Sequence, residues 1–124
     1  MTGLELLLAA MVMVESGGDV NAVGDGGASV GTLQISQGYF TDAMEQLRRE
    51  GKTPNYRWPG DVRDARIARS IVLAYWRRYA PDALETDDWQ TLARVHNGGP
   101  RGARKTATVK YWAKVQAAMR RERP

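Results

Sequence analysis

The sequence predicts a mainly α protein of about five helices around a central apolar helix, with one short β-hairpin. Three observations carry that prediction. Leu6 to Val14 is nine consecutive apolar residues, long enough for a buried helix and far too short to cross a membrane. Val62 to Tyr79 carries the clearest 3.6-residue apolar period. Residues 20 to 36 alternate too little for long strands, but the turn Gly24-Asp25-Gly26-Gly27 suits an irregular hairpin. With 124 residues, no internal repeat and no low-complexity tract, the chain reads as a single domain, 1–124, with one modest core.

Taken in order, the first helix runs from Leu4 to Glu15, with Gly17 or Gly18 as its left-handed cap. After the hairpin, a second helix covers Tyr39 to Arg49, starting near Thr41-Asp42 and ending at Gly51. Residues 51 to 61 form a loop punctuated by Pro54, Pro59 and Gly60. A third helix from Val62 to Tyr79 turns Ala65, Ala68, Ile71, Val72, Tyr75, Trp76 and Tyr79 inward, and Pro81 stops it. Thr86-Asp87-Asp88 caps a helix carrying Trp89, Leu92, Ala93 and His96. The last helix, Thr106 to Arg121, shows Val109, Trp112, Val115 and Met119 on one side.

Chemistry concentrates where the first helix ends. Leu4, Leu8, Met11 and Glu15 share one stripe, which puts a carboxyl group on an apolar face at the helix C-terminus. That end of the helix dipole disfavours an acid, so an ordinary solvated glutamate is the weaker reading. Apolar surroundings oppose ionisation, which would leave Glu15 a proton to donate near neutral pH. Ten residues on, Asp25 sits among glycines and water, where a carboxylate is expected to stay ionised, although aspartate in a glycine turn is also commonplace. Two carboxyl groups in contrasting environments are what acid-catalysed glycoside cleavage requires. Asp19 is a weaker second candidate.

Composition narrows the alternatives. No cysteine means no disulfide framework, and a single histidine leaves no metal-ligand cluster. The glycine loop does not follow a strand and open a helix, so it is no phosphate cradle. Residues 1 to 47 contain no Lys or Arg, whereas the chain from Arg48 onward is net +10. Arg101, Arg104, Lys105, Lys110, Lys114, Arg120, Arg121 and Arg123 crowd its end. Such a flank either attracts a polyanion or merely keeps a helix face solvated. No nucleic-acid-binding motif accompanies the charge, so nucleic acid is not an expected partner. No secretory leader is visible, because the N-terminal apolar run lacks a basic start and leads directly to Glu15. This leaves open a trimmed chain, a module of a larger protein or another export route.

Two separated motifs carry a resemblance. Glu15-Ser16-Gly17, an aspartate in a glycine loop and Gly31-Thr32-Leu33-Gln34-Ile35 are followed far downstream by His96-Asn97-Gly98-Gly99-Pro100-Arg101-Gly102. This order resembles the lysozyme superfamily, in particular invertebrate-type (destabilase-like) lysozymes and, less closely, lytic transglycosylases with goose-type lysozymes. The lack of cysteine departs from the cysteine-rich invertebrate-type branch, and Val30 stands where that branch often has one.

The resemblance implies an α+β lysozyme-like fold and a glycosidase of peptidoglycan, with Glu15 as acid and Asp25 as second carboxylate. No cofactor is implied. It places Ser29, Gln34, Tyr39, His96, Asn97, Gly98 and Tyr111 against substrate. Gln34 would act through its backbone, and His96 occupies the place of a transglycosylase tyrosine. Each has a plainer alternative: Ser29 serving the hairpin, His96 a satisfied core histidine, Tyr39, Tyr56 and Trp58 simply packing. A transglycosylase, in which one glutamate suffices, is the alternative enzyme, and a wall-binding module without catalysis is the alternative outside enzymes. Isopeptide cleavage, known in some relatives, would have only Ser16 or Ser29 beside His96. The expected setting is secreted, periplasmic or wall-associated, and the expected state a monomer with no membrane contact.

Overall fold

The first helix sets the boundary on which the rest depends. The computed structural model describes residues 1–122, so Arg123 of the basic cluster lies outside the described residues. Helix α1 spans Gly3–Glu15. Thr2 caps it by accepting from the Glu5 amide at 3.1 Å. It ends because Gly17 adopts φ +64° and returns its N–H to the Val12 carbonyl at 3.1 Å. Leu6, Leu7, Leu8, Ala10 and Met11 are buried on its inner face.

Three two-residue strands follow: β1 (Val23–Gly24), β2 (Ser29–Val30) and β3 (Ile35–Ser36), antiparallel in the order β1-β2-β3. Val23 pairs with Val30, and Ser29 with Ser36. The expected single hairpin is therefore a small meander. The second turn forms because Gln34 takes φ +52° and its amide donates to the Ala22 and Gly31 carbonyls at 3.1 and 3.0 Å. Gly31 is required there: its φ is +86°, and a Cβ would lie 2.7 Å from the Val62 carbonyl oxygen.

Helix α2 (Gln37–Arg49) begins two residues before the expected Tyr39, because Ser36 rather than Thr41-Asp42 caps it. Helix α3 (Ala65–Tyr79) starts later than expected, because Asp64 interrupts with extended backbone and accepts from Arg66 and Ile67 amides. Ala65 thus falls on the exposed first turn, and Tyr79 is only half-buried. Val62 stays fully buried from the preceding 3₁₀ turn, Asp61–Arg63. Pro81 does end α3, but it also opens a short helix, α4 (Pro81–Glu85), since its fixed φ suits a first helical position.

Helix α5 (Trp89–Gly98) is capped by Asp88, as the Thr86-Asp87-Asp88 signal predicts. Two 3₁₀ turns, Gly102–Arg104 and Thr106–Thr108, precede α6 (Val109–Glu122). The last helix is rotated from the expected face. Tyr111, Val115, Ala118 and Met119 point inward, whereas Val109 is exposed and Trp112 half-buried. Tyr111 sets this phase, because its hydroxyl is anchored at the end of α1.

Helix α1 packs along α6 and against α5, while α3 packs against α2, α4 and α5. Trp76, Ile71, Leu92, Met11 and Ile35 are fully buried between them, and Trp76 Nε1 donates to the Leu92 carbonyl at 2.9 Å. Ile71→Ala is expected to cost about 2–5 kcal/mol in chemical denaturation, and Trp112→Ala less, since only Ile71 is fully enclosed.

A forked ion pair links the end of α2 to α3: Arg77 Nε and one terminal nitrogen donate to the two Glu50 oxygens at 2.7 and 3.0 Å. The Arg77 bonds lead in holding the Glu50 carboxyl down at about 2, against an ordinary value of 4.5, with Gln46 helping. A carboxyl lowered in the folded state stabilises above its unfolded value and loses that contribution as pH falls. Acid titration should therefore show wild type losing an advantage over Arg77→Met between about pH 4.5 and about pH 2. Parallel curves across that window would assign acid lability to other carboxylates.

Candidate active site

Glu15 owes its position to the break after α1. The Ser16 hydroxyl donates to the Thr32 carbonyl at 2.8 Å and accepts from the Gly18 amide at 3.1 Å, stapling the helix end to the β2–β3 turn. The Glu15 side chain is 15 % exposed and opens into a cleft of about 470 Å³. Across that cleft stands Asp25, exposed, at φ +53° in the turn between β1 and β2. Ser29 donates to Asp25 Oδ2 at 2.8 Å, which fixes the orientation of an otherwise open carboxylate.

The remaining walls come from three further elements. Gln34 lies on the β2–β3 turn, Tyr39 on α2, and His96 and Asn97 on the last turn of α5. Tyr39 is held flat by stacking on Tyr75 of α3, with ring centres 3.7 Å apart and planes 9° apart. Its hydroxyl meets His96 Nδ1 at 2.8 Å. His96 Nε2 lies 3.0 Å from the Leu33 carbonyl and 3.1 Å from Glu15 Oε2. Tyr111, reaching from α6, donates to the same Glu15 oxygen at 2.9 Å. Burial pushes both Tyr39 and Tyr111 well above the usual tyrosine range and Tyr75 to about 12. All three remain O–H groups throughout the range in which carboxyl groups titrate.

Seven of the nine residues singled out from sequence therefore line one cleft: Glu15, Asp25, Ser29, Gln34, Tyr39, His96 and Asn97. Tyr111 stands behind it, touching Glu15 rather than the open space. Gly98 is turned away: a Cβ there would meet the Thr108 methyl at 2.5 Å, so it lets α5 and the 3₁₀ turn before α6 approach closely. Gly102 serves the same end, against the Arg94 carbonyl.

Other candidates fall away from the cleft. Asp19 is exposed and accepts from its neighbour, the Asn21 amide. Trp58 donates to the Ile35 carbonyl at 3.0 Å, and Tyr56 lines a separate hollow beside Pro54 and Leu73. His96 bonds to neither Ser16 nor Ser29, so no serine–histidine pair forms. Among the described residues no cluster of His, Asp and Glu could hold a metal ion. The roles of Ser36, which lines the cleft, and of Leu33, whose carbonyl meets His96, escaped the sequence reading. Ser36 carried a helix-cap signal; a backbone carbonyl carries none.

An enclosed carboxyl group and an open carboxylate facing one polar cleft match the two-carboxylate pattern of glycosidases. The family model described as Destabilase matches residues 5–118. The chain belongs to the destabilase family. Invertebrate-type lysozyme 6 of Caenorhabditis elegans is 34% identical over 89 residues, covering 70% of this chain and 64% of that protein. A lysozyme of Magallana gigas is 36% identical over 70% of this chain and 58% of its own length. The invertebrate-type lysozyme of Ruditapes philippinarum is 34% identical over 88% of this chain and 76% of its own. Among solved structures, the inhibitor-bound lysozyme from Meretrix lusoria superposes with a TM-score of 0.72 at 30% identity, covering 91% of this chain and 88% of that one. The destabilase-family fold thus accommodates this cysteine-free chain, with packing and the Ser16 and Tyr111 bonds at the cleft.

Proposed function

We propose that this destabilase-family protein is a bacteriolytic muramidase, hydrolysing the β-1,4 bond between N-acetylmuramic acid and N-acetylglucosamine in peptidoglycan. The observation that carries the proposal is the pairing of enclosed Glu15 with open Asp25 on one cleft, in a chain whose relatives are named lysozymes. Glu15 protonates the glycosidic oxygen. Asp25 attacks the anomeric carbon or stabilises its developing positive charge, and Glu15 then acts as base toward water. Asn97 offers an amide group to the sugar and Tyr39 the rim of a ring, while Gln34, its side-chain amide spent on the Ala22 and Gly31 carbonyls, shapes the wall between them. Acid–base chemistry of this kind requires no cofactor.

The place of action proposed is outside the cytoplasm or at the wall, where this substrate lies. The basic second half of the chain would draw the enzyme to a polyanionic wall. Mass analysis of digested peptidoglycan tests the proposal: a reducing muramic end is expected. A 1,6-anhydro end would make the protein a transglycosylase, and absence of any product would favour a binding module.

A further inference from the structure

Glu15 is gripped by one of its two oxygens. Oε2 accepts from the Tyr111 hydroxyl at 2.9 Å and has His96 Nε2 at 3.1 Å. His96 Nε2 also faces the Leu33 carbonyl at 3.0 Å, and since a carbonyl only accepts, Nε2 must carry the hydrogen. In the neutral ring Nδ1 is then the acceptor, and Tyr39 the donor, at 2.8 Å. Burial above all keeps Tyr39 and Tyr111 protonated, and the nearby Glu15 charge acts in the same sense. The hydrogen-bond directions are thereby settled from both ends: Tyr39 to His96, His96 to Leu33 with its N–H edge beside Glu15, and Tyr111 to Glu15.

The other groups around the carboxyl do not disturb this. Asp25 faces it from the sheet, Tyr75 stands behind Tyr39 from α3, and among the described residues no Lys or Arg lines the cleft. A proton on Oε2 would face the His96 N–H edge and would displace the hydrogen that Tyr111 directs at that oxygen. Oε1 makes no hydrogen bond to protein among the described residues.

We propose that Tyr111 and His96 are positioning residues that hold Glu15 by Oε2 and reserve Oε1 as the oxygen that delivers the proton. The inference rests on the glycosidase reading. In the first step the proton leaves Oε1 for the glycosidic oxygen as the C–O bond breaks. In the second, water adds to the anomeric carbon and returns a proton to Oε1. Throughout, Oε2 keeps the Tyr111 bond, so the carboxyl group does not rotate between its turns as acid and as base.

Neutron diffraction from deuterium-exchanged crystals at acid pH tests the assignment directly, without turnover. Deuterium on Glu15 Oε1 is expected, and deuterium on Oε2 would overturn the proposal. Nitrogen NMR of the single histidine should show hydrogen on Nε2 in the neutral ring; an Nδ1–H tautomer would break the chain of donors. In kinetics, Tyr111→Phe should move the alkaline limb of kcat to higher pH, because the ionised carboxylate loses a donor. His96→Gln, which keeps an N–H, should restore more rate than His96→Ala. A Tyr111→Phe profile superimposable on wild type would also overturn the proposal. Glu15→Gln separates the two levels: near-normal activity in that variant removes Glu15 as the acid on which the inference rests, whereas a variant with turnover largely lost and deuterium on Oε2 sinks only the oxygen assignment.

Discussion

Glu15→Gln is expected to lower turnover by about 10²–10⁴-fold, the usual contribution of a positioned acid. The substitution keeps the shape of the side chain and an oxygen able to accept from Tyr111. Folding should therefore survive, and oligosaccharide should still bind. Only the transferable proton is lost. Steady-state kinetics with a soluble chitooligosaccharide or wall fragments, beside a thermal melt, would read both quantities. A variant that melts like wild type and retains most of its turnover would place the acid elsewhere in the cleft.

Asp25→Asn is the second large effect. The attraction of a carboxylate for the anomeric carbon grows only as positive charge develops there, so the loss falls on the transition state. A drop in kcat of about 10²–10³-fold is expected, comparable to removing one preorganised electrostatic group, with KM nearly unchanged. Ser29 donates to this carboxylate and would donate equally to an asparagine oxygen, so the turn should keep its geometry. An Asp25→Asn enzyme with near-normal kcat would leave Glu15 to work alone, which is the transglycosylase chemistry, and the product ends would then be anhydro.

Much of this site was legible because its residues break local rules. A glutamate ending a nine-residue apolar run works against the helix dipole and so stood out, whereas Asp25, of a type commonplace in glycine turns, was legible only as the partner of Glu15. The helices were legible where apolar spacing and caps agreed, as at Asp88 and Gly51. They were misphased where a tertiary contact outweighed the pattern. Tyr111 reaches for Glu15 and turns α6 so that Val109 meets water, and Asp64 restarts α3 so that Ala65 does as well. Pro81 does stop α3, but sequence alone does not reveal that the proline also begins a second helix.

Gly98 illustrates a related point. A glycine permits close approach, but sequence does not say whether sugar or Thr108 makes that approach. The backbone partner of His96, the Leu33 carbonyl, has no signature in residue type at all. The part of the site made of side-chain chemistry could be read; the part made of backbone geometry and long-range fit could not.

The Tyr111–Glu15 bond spans 96 residues, and those from His96 to Tyr39 and Leu33 span 57 and 63. Closing such separations costs chain entropy that rises slowly with loop length, and in this fold the contacts depend on α5 and α6 lying against α1. Loss of α5 or α6 packing is therefore expected to loosen Glu15 even where α1 stays helical. For a protein whose proposed substrate holds a cell together, such far-flung anchors would tie the proposed chemistry of one carboxyl group to an intact fold.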